Sequence, residues 1–399
     1  MKNKLTSLLN WNADRRNFPE MDADGNPVID LGSQKFIKVW QGPNHPGVTG
    51  NMSLELTISG DEVVESKTHV GYLHRGFEKL FERRKYIQCF PTCIRMCVPE
   101  PDTNEYNMAV GIEELGSIEV PEVANWLRML ALEMARLQVL LRMVPGQAGT
   151  MGLGLGSQWG MYYRELILDR FEELTGGRIY HMYILPGGVR GLMPEGFEKR
   201  LLDDLDKIDG FITDIDKLIF NNAVFKKRTI GTGFIPSDWV DHYGIVGPVA
   251  RAAGYKRDVR KDYPYLYYNQ LDFDYNIAQE SDVYARFEVR RQDLITTVDL
   301  LRQILAKMPK TGDIRATTPN VLHWKIPKGE TYVRVESSRG EYGFYMVSDG
   351  SEYPRRINLR GPSYTHAVSV LEKLLVNANI SDVSAIMVSL ATCPPEIER

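Results

Sequence analysis

The sequence predicts a mainly α protein, α+β in class: a bundle of long helices with small β elements near both termini. Three observations carry this. Apolar residues recur at three- and four-residue spacings through the middle of the chain, they alternate with period two toward the ends, and prolines and glycines stand where the patterns stop. The expected division is 1–62 as an N-terminal β-containing segment, 63–326 as the helical body, and 327–399 as a C-terminal α/β segment.

Taken in order, Leu54, Leu56 and Ile58 alternate with polar neighbours and stop at Gly60-Asp61, as in a half-buried strand and its turn. From Val63 the period changes. Val70, Leu73, Phe77 and Leu80 follow helical spacing, so the helical body is expected to start there. Between Pro121 and Pro145, Val123, Leu127, Leu130, Met134, Leu137, Leu141 and Val144 form one stripe. Trp126, Leu132, Val139 and Leu140 lie off it, which predicts a central helix with neighbours on more than one side. Pro121 suits its first turn and Pro145-Gly146 its end, because proline lacks the N–H that an interior position uses.

A second helix is expected from about Gly160 to Leu174, stopped by Thr175-Gly176-Gly177, with others at 195–220 and 283–308. Beyond Pro327, TYVRVESS and EYGFYMVSDG read as strands, and a last helix over Ser363–Ala378 leads to SLATCPPEIER.

Composition narrows the function. The chain has 399 residues, 43% hydrophobic and 25% charged, enough for a sizeable core. A net charge of -4 supplies no global positive field, so no nucleic-acid partner is expected. The most apolar stretch, Val120 to Val144, is broken by Arg128, Glu133, Arg136 and Arg142, so no bilayer span is expected. MKNKLTSLLNWNADRR carries no small-residue cleavage site, and no signal peptide is expected.

The chemistry-bearing residues are few. The four cysteines are Cys89, Cys93, Cys97 and Cys393, too unevenly placed for a disulfide framework. Pro91 argues against a continuous helix through Cys89. Even on an ideal helix Cys89 and Cys97 would stand roughly 12 Å apart in rise, too far to share one ion bound at about 2.3 Å. Cys93 and Cys97 are a candidate pair on one face, which Cys393 joins only through the tertiary fold, and burial as inert small residues is the alternative. Gly152–Gly156, GLGLG, follows a helix and lacks a Gly-Lys-Ser/Thr ending, so it is not a nucleotide loop. His69 and His74 read as structural, Asp22–Asn26 as a turn and Phe225–Arg228 as a solvated basic run.

Several segments carry a resemblance over almost the whole chain. WQGPNHPGVTGNMSLEL at 40–56, HVGYLHRGFEKL at 69–80, RELILDRFEELTGGRIYHMYILPGGV at 164–189, GIVGPVARAAG at 244–254, RGEYGFYMVSDGS at 339–351 and the ending PPEIER resemble one large-subunit family. It contains the quinone-site subunit of respiratory complex I and the large subunits of membrane-bound nickel–iron hydrogenases, which implies a hydrogenase large-subunit-like fold.

The departures separate the branches. Hydrogenases hold nickel with two Cys-x-x-Cys pairs, whereas Cys93-Ile94-Arg95-Met96-Cys97 is one residue wider and Glu396 stands where the last thiol falls. The resemblance therefore implies no nickel–iron centre. In the quinone-site subunit a GPxHPxxHG loop and a tyrosine face the quinone; this chain has His45 followed by Thr49, and Val98 at the tyrosine position.

The wider cysteine spacing and single C-terminal cysteine are similar to a third branch, the ferredoxin-dependent, membrane-bound sulfane sulfur reductases. That implies a peripheral subunit on the cytoplasmic face, held by antiporter-type membrane subunits that pump ions. It binds no cofactor alone. A small subunit carrying the proximal 4Fe-4S cluster and a further iron–sulfur subunit would pass electrons from reduced ferredoxin to polysulfide. Cys93, Cys97 and Cys393 are then cavity candidates, with Arg95 supporting their thiolates, or else remnants beside a partner cluster that cleaves the S–S bond. His45 and Thr49 fall in a loop expected to couple the site to the membrane subunits. A hydrogenase with an altered metal site and a non-catalytic structural subunit are the alternatives.

Overall fold

A computed structural model describes residues 36–44 and 51–399. His45, Thr49 and the turn at 22–26 lie outside the described residues. The first element is an antiparallel sheet, β1 (Phe36–Gln41), β2 (Ser53–Ser59) and β3 (Glu62–His69), in that order. Leu54, Leu56 and Ile58 bury as their alternation predicts. The segment after Val63 departs from expectation: it is strand β3, paired to β2 with a register shift at Thr57/Ile58, and the helix is only α1 (Phe77–Phe81). The three- and four-residue spacings of Val70, Leu73 and Phe77 describe a loop ending in one helical turn. Cross-strand hydrogen bonds to β2 decide the backbone, which local spacing does not see.

Next come α2 (Tyr86–Cys93), α3 (Pro101–Gly116) and the long α4 (Glu122–Gly149). α2 runs through Pro91, against expectation; in an eight-residue helix the missing N–H costs one bond and no long ladder is interrupted. α4 likewise continues through Pro145 to Gly149, and Pro121 stands at its N-cap. It is central as predicted, with Trp126, Leu132, Val139 and Leu140 all buried, and it packs on α5 (Gly154–Thr175) and on a later helix.

The glycines of 152–160 have their explanation here. A Cβ on Gly160 would meet the Leu141 carbonyl and the Pro145 ring, and one on Gly156 would come within 3.0 Å of the Pro145 carbonyl. Four residues apart on one face of α5, they let the two helices approach beside the proline. α5 ends at Gly176 with φ 79°, the expected left-handed stop.

A two-stranded ribbon, β4 (Ile184–Leu185) and β5 (Gly188–Val189), precedes α6 (Phe197–Ile215), which runs on as a π turn over Asp216–Phe220. Short helices fill 223–262. Asp282 caps α7 (Val283–Lys307) by accepting the Ala285 N–H at 2.8 Å. The C-terminal sheet is antiparallel β6 (Gly329–Ser337), β7 (Gly340–Ser348) and β8 (Arg356–Arg360). After it a helical run is widened to π geometry over Thr365–Val370, and α8 (Pro394–Ile397) closes the chain. One hydrophobic core joins β2, α4, α7, β7 and the C-terminal helices. No helix among the described residues is long and apolar enough to cross a membrane.

Candidate functional site

The site forms where three stretches far apart in sequence meet. Cys97 lies in the irregular turn between α2 and α3, Cys393 immediately precedes α8, and Arg339 sits in the two-residue turn joining β6 to β7. The Cys97 and Cys393 thiols and a Glu396 carboxylate oxygen lie within 4.8 Å of one another, all buried.

Each is held by backbone. The Cys393 N–H donates to the Ser363 hydroxyl at 3.1 Å, and the Ser363 N–H donates to Glu396 Oε1 at 2.9 Å, so residues just beyond β8 set both C-terminal groups. Gly361 leaves room for this, since a Cβ there would collide with the Glu396 carboxylate. On the other side Glu100, at the N-cap of α3, accepts the Ser338 N–H at 2.8 Å and the Ser338 hydroxyl at 2.6 Å. It also accepts Arg339 Nη1 at 2.8 Å, and the same Nη1 stands 3.5 Å from Cys97 Sγ. Glu100 thus aims a buried guanidinium at the thiol pair.

The electrostatics follow from that geometry. Hydrogen bonding with the Cys97 thiol, helped by Arg339, pulls the Cys393 thiol below its ordinary range, although burial works the other way. The same bond, with burial, pushes Cys97 well above it. Of the two, Cys393 is the thiol that loses its proton first. Burial also raises Glu396, against the pull of Arg339.

Two candidate residues lie elsewhere. Cys93 does not join the group: its thiol points to the Phe90 carbonyl at 3.3 Å within α2, and complete burial lifts it well above the usual thiol range. One further turn of backbone between Cys93 and Cys97 leaves the helix, so the two do not share a face. Arg95 is exposed, bonded back to the Pro91 carbonyl with its guanidinium 5.0 Å from the Tyr180 ring, and gives the thiols no support. Arg339 takes that role. Cys89 is inert, its thiol pushed up to about 12 by burial. Val98, at the quinone-tyrosine position, is half-buried in the same turn as Cys97.

Arg339 and Glu100 were missed from sequence, although RGEYGFYMVSDGS began at Arg339. Also unforeseen is His181, whose Nδ1 lies 3.0 Å from both Asp102 oxygens and whose ring stacks on Phe171 at 3.7 Å. Burial opposes the charged imidazole, but Asp102 outweighs it and the His181 pKa is raised. His69 packs on Trp40 at 4.7 Å and bonds Glu55 at 2.9 Å, and His74 Nδ1 bonds the Glu398 carbonyl at 2.6 Å.

A long-helix bundle that brings the end of the chain against an N-terminal cysteine turn defines a class, the complex I 49 kDa-like oxidoreductase subunits, related to hydrogenase large subunits. The chain belongs to the family of the respiratory-chain NADH dehydrogenase 49 kDa subunit, whose sequence pattern matches residues 151–325 and 320–399. It is 41% identical over 365 residues to an NADH-quinone oxidoreductase subunit of Thermosipho melanesiensis, covering 91% of this chain and 99% of that one. Identity to an F(420)H(2) dehydrogenase subunit of Methanosarcina mazei is 34% over 372 residues, covering 92% and 99%. Among solved structures, a chain of the membrane-bound sulfane sulfur reductase, an archaeal respiratory membrane complex, superposes with a TM-score of 0.89 at 39% identity, covering 91% of this chain and 98% of that one. The family and fold implied by the sequence motifs both hold.

Proposed function

We propose that this chain is the substrate-site subunit of a ferredoxin-dependent, ion-pumping membrane complex that reduces the sulfane sulfur of polysulfides. The observation that carries this reading is the Cys97–Cys393 pair with Arg339 3.5 Å from Cys97. A thiol pair beside a buried cation suits the binding of sulfur chains and the stabilisation of the sulfur anions released when an S–S bond breaks.

The rival cofactor and substrate of the family fit less well. A nickel–iron centre uses four thiolates, whereas here two thiols meet one carboxylate and a guanidinium, a set too hard and too cationic for it. Quinone reduction has in its favour the name of the Thermosipho relative at 41% identity. Against it, Val98 offers a quinone oxygen no hydrogen bond.

In the proposed assembly the chain sits peripherally on the cytoplasmic face beside a small subunit whose proximal 4Fe-4S cluster supplies electrons one at a time. A second iron–sulfur subunit would receive them from reduced ferredoxin, and antiporter-type membrane subunits would use the released energy. The test is the purified complex with reduced ferredoxin and an organic trisulfide, following thiol, hydrogen and quinol together. Thiol without hydrogen or quinol is expected. Hydrogen that tracks nickel content, or quinol in preference to thiol, overturns the reading.

A further inference from the structure

We infer that Cys97 and Cys393 work as a dithiol/disulfide couple, with Cys393 the attacking sulfur, Cys97 the resolving one, and an organic or inorganic sulfane chain the oxidant. The inference rests on the sulfur-reducing reading above and deepens it.

Proximity is the first argument. The two sulfurs stand within 4.8 Å, against a disulfide bond of about 2.05 Å, and both residues lie outside regular helix and strand. Closing that gap displaces two turn segments and breaks no helix or sheet ladder. Exclusivity is the second. Cys93 turns into α2 toward the Phe90 carbonyl, and Cys89 toward the Lys85 carbonyl at 3.4 Å, so neither competes for the bond. Polarity is the third. Arg339 is fixed by Glu100 and faces Cys97, and it serves whichever sulfur carries negative charge in the exchange.

The order of attack follows from the exposed cation on the Cys393 side. Exposed Arg75 lies within electrostatic range of Cys393, and its guanidinium donates to the Arg95 carbonyl at 2.7 Å. Arg75 is thus the exposed cation placed to draw an anionic sulfur chain toward Cys393.

With a trisulfide R–S–S–S–R the steps balance. Cys393 sulfur attacks an outer sulfur, forming Cys393–S–S–R and breaking the next S–S bond; R–S–S⁻ leaves and takes the Cys393 proton. Cys97 sulfur then attacks Cys393 sulfur, forming the disulfide and expelling R–S⁻, which takes the Cys97 proton. The trisulfide has gained two electrons as RSSH plus RSH, and the dithiol has lost two. An iron–sulfur carrier returns two electrons, with two protons from solvent, and restores both thiols.

The experiment is a single turnover of the full chain, reduced with a phosphine, freed of reductant and mixed with a synthetic organic trisulfide. One RSH and one RSSH per chain are expected, with a chain lighter by two hydrogen atoms and a Cys97–Cys393 cross-link in its peptide map. Cys97→Ser should stop at a mass-detectable R–S adduct on Cys393, and Cys393→Ser should form neither adduct nor cross-link. A wild-type chain that releases no RSH, cross-links other cysteines, or carries the trapped adduct on another residue overturns the couple, whatever the variants do. Ferredoxin-driven turnover separates the thiol couple from the sulfur-reducing activity. If the complex with both cysteines changed to serine still reduces trisulfide, the couple falls and the sulfur reading stands. If the unmodified complex reduces quinone and yields no thiol, the sulfur reading itself falls.

Discussion

Two buried polar regions of this molecule are built to opposite rules. Between α4, α7 and β6, Arg136, Arg251 and Arg260 face Glu133, Asp258, Asp293 and Glu336. Arg251 meets Asp293 at 2.7 Å, Arg260 meets Asp258 at 2.8 Å and Glu133 at 3.3 Å, and Arg136 meets Glu133 at 3.3 Å. Burial first, and Asp258 next, push Glu336 up to about 8, so at neutral pH it is largely protonated and three carboxylates answer three guanidiniums. At the thiol pocket one guanidinium, Arg339, is shared among Glu100, Glu396 and two thiols. The balanced region holds its charges in one arrangement and specifies how helices and sheet dock. The unbalanced one sets two thiols and two carboxyls in competition for a single cation. That is the condition for chemistry rather than for rigidity.

The contrast is most sharply exposed by stranding a charge. Asp258→Ala leaves Arg260 and Arg251 short of a carboxylate, and a loss of about 3–5 kcal/mol in urea unfolding is expected. A loss below about 1 kcal/mol would show that the balance is not what holds the region.

Protonation gives the next effect. Glu336 and Glu105 are both raised to about 8, chiefly by burial. A raised acid contributes stability that is complete below the unfolded carboxyl range and is lost as pH rises through the folded value. Thermal stability should therefore fall as pH rises from 5 toward 8, and Glu336→Gln should flatten the slope. A rise across that window in the wild type would contradict the sign.

At the pocket, Arg339→Gln should slow iodoacetamide labelling of Cys97 and Cys393 at pH 7 about tenfold, equivalent to about 1.4 kcal/mol, as read by peptide mass mapping. Unchanged labelling would mean that the guanidinium serves Glu100 alone. The smallest effect belongs to Cys93→Ala, which removes a buried sulfur remote from the pair. About 1 kcal/mol of stability is expected to go, with trisulfide single turnover unaltered.

Much of the fold was legible because it is local. The α4 stripe, the α5 stop at Gly176 and the α7 register each follow from side chains a few residues apart, and each appears in the structure. Misreadings arose where distant chain decided. Val63 to His69 is a strand because β2 pairs with it, and Pro145 is tolerated because Gly156 and Gly160 let α5 close over it. At the site, Cys97 and Cys393 were named but Cys93 and Arg95 were placed with them wrongly. Sequence proximity suggested a shared helical face, and the chain leaves the helix at Cys93.

By itself, then, the sequence determined the helical body, the β ends, the family and the three cysteines worth following, since periodicity and motifs are properties of neighbouring residues. Only the tertiary structure decided that Cys393 meets Cys97 and not Cys93, and that Arg339, 242 residues from Cys97, supplies their cation. The physical reason is range: a thiol and a guanidinium act over a few ångströms of space, and the distance along the chain between them is set by how sheet and helices close the core.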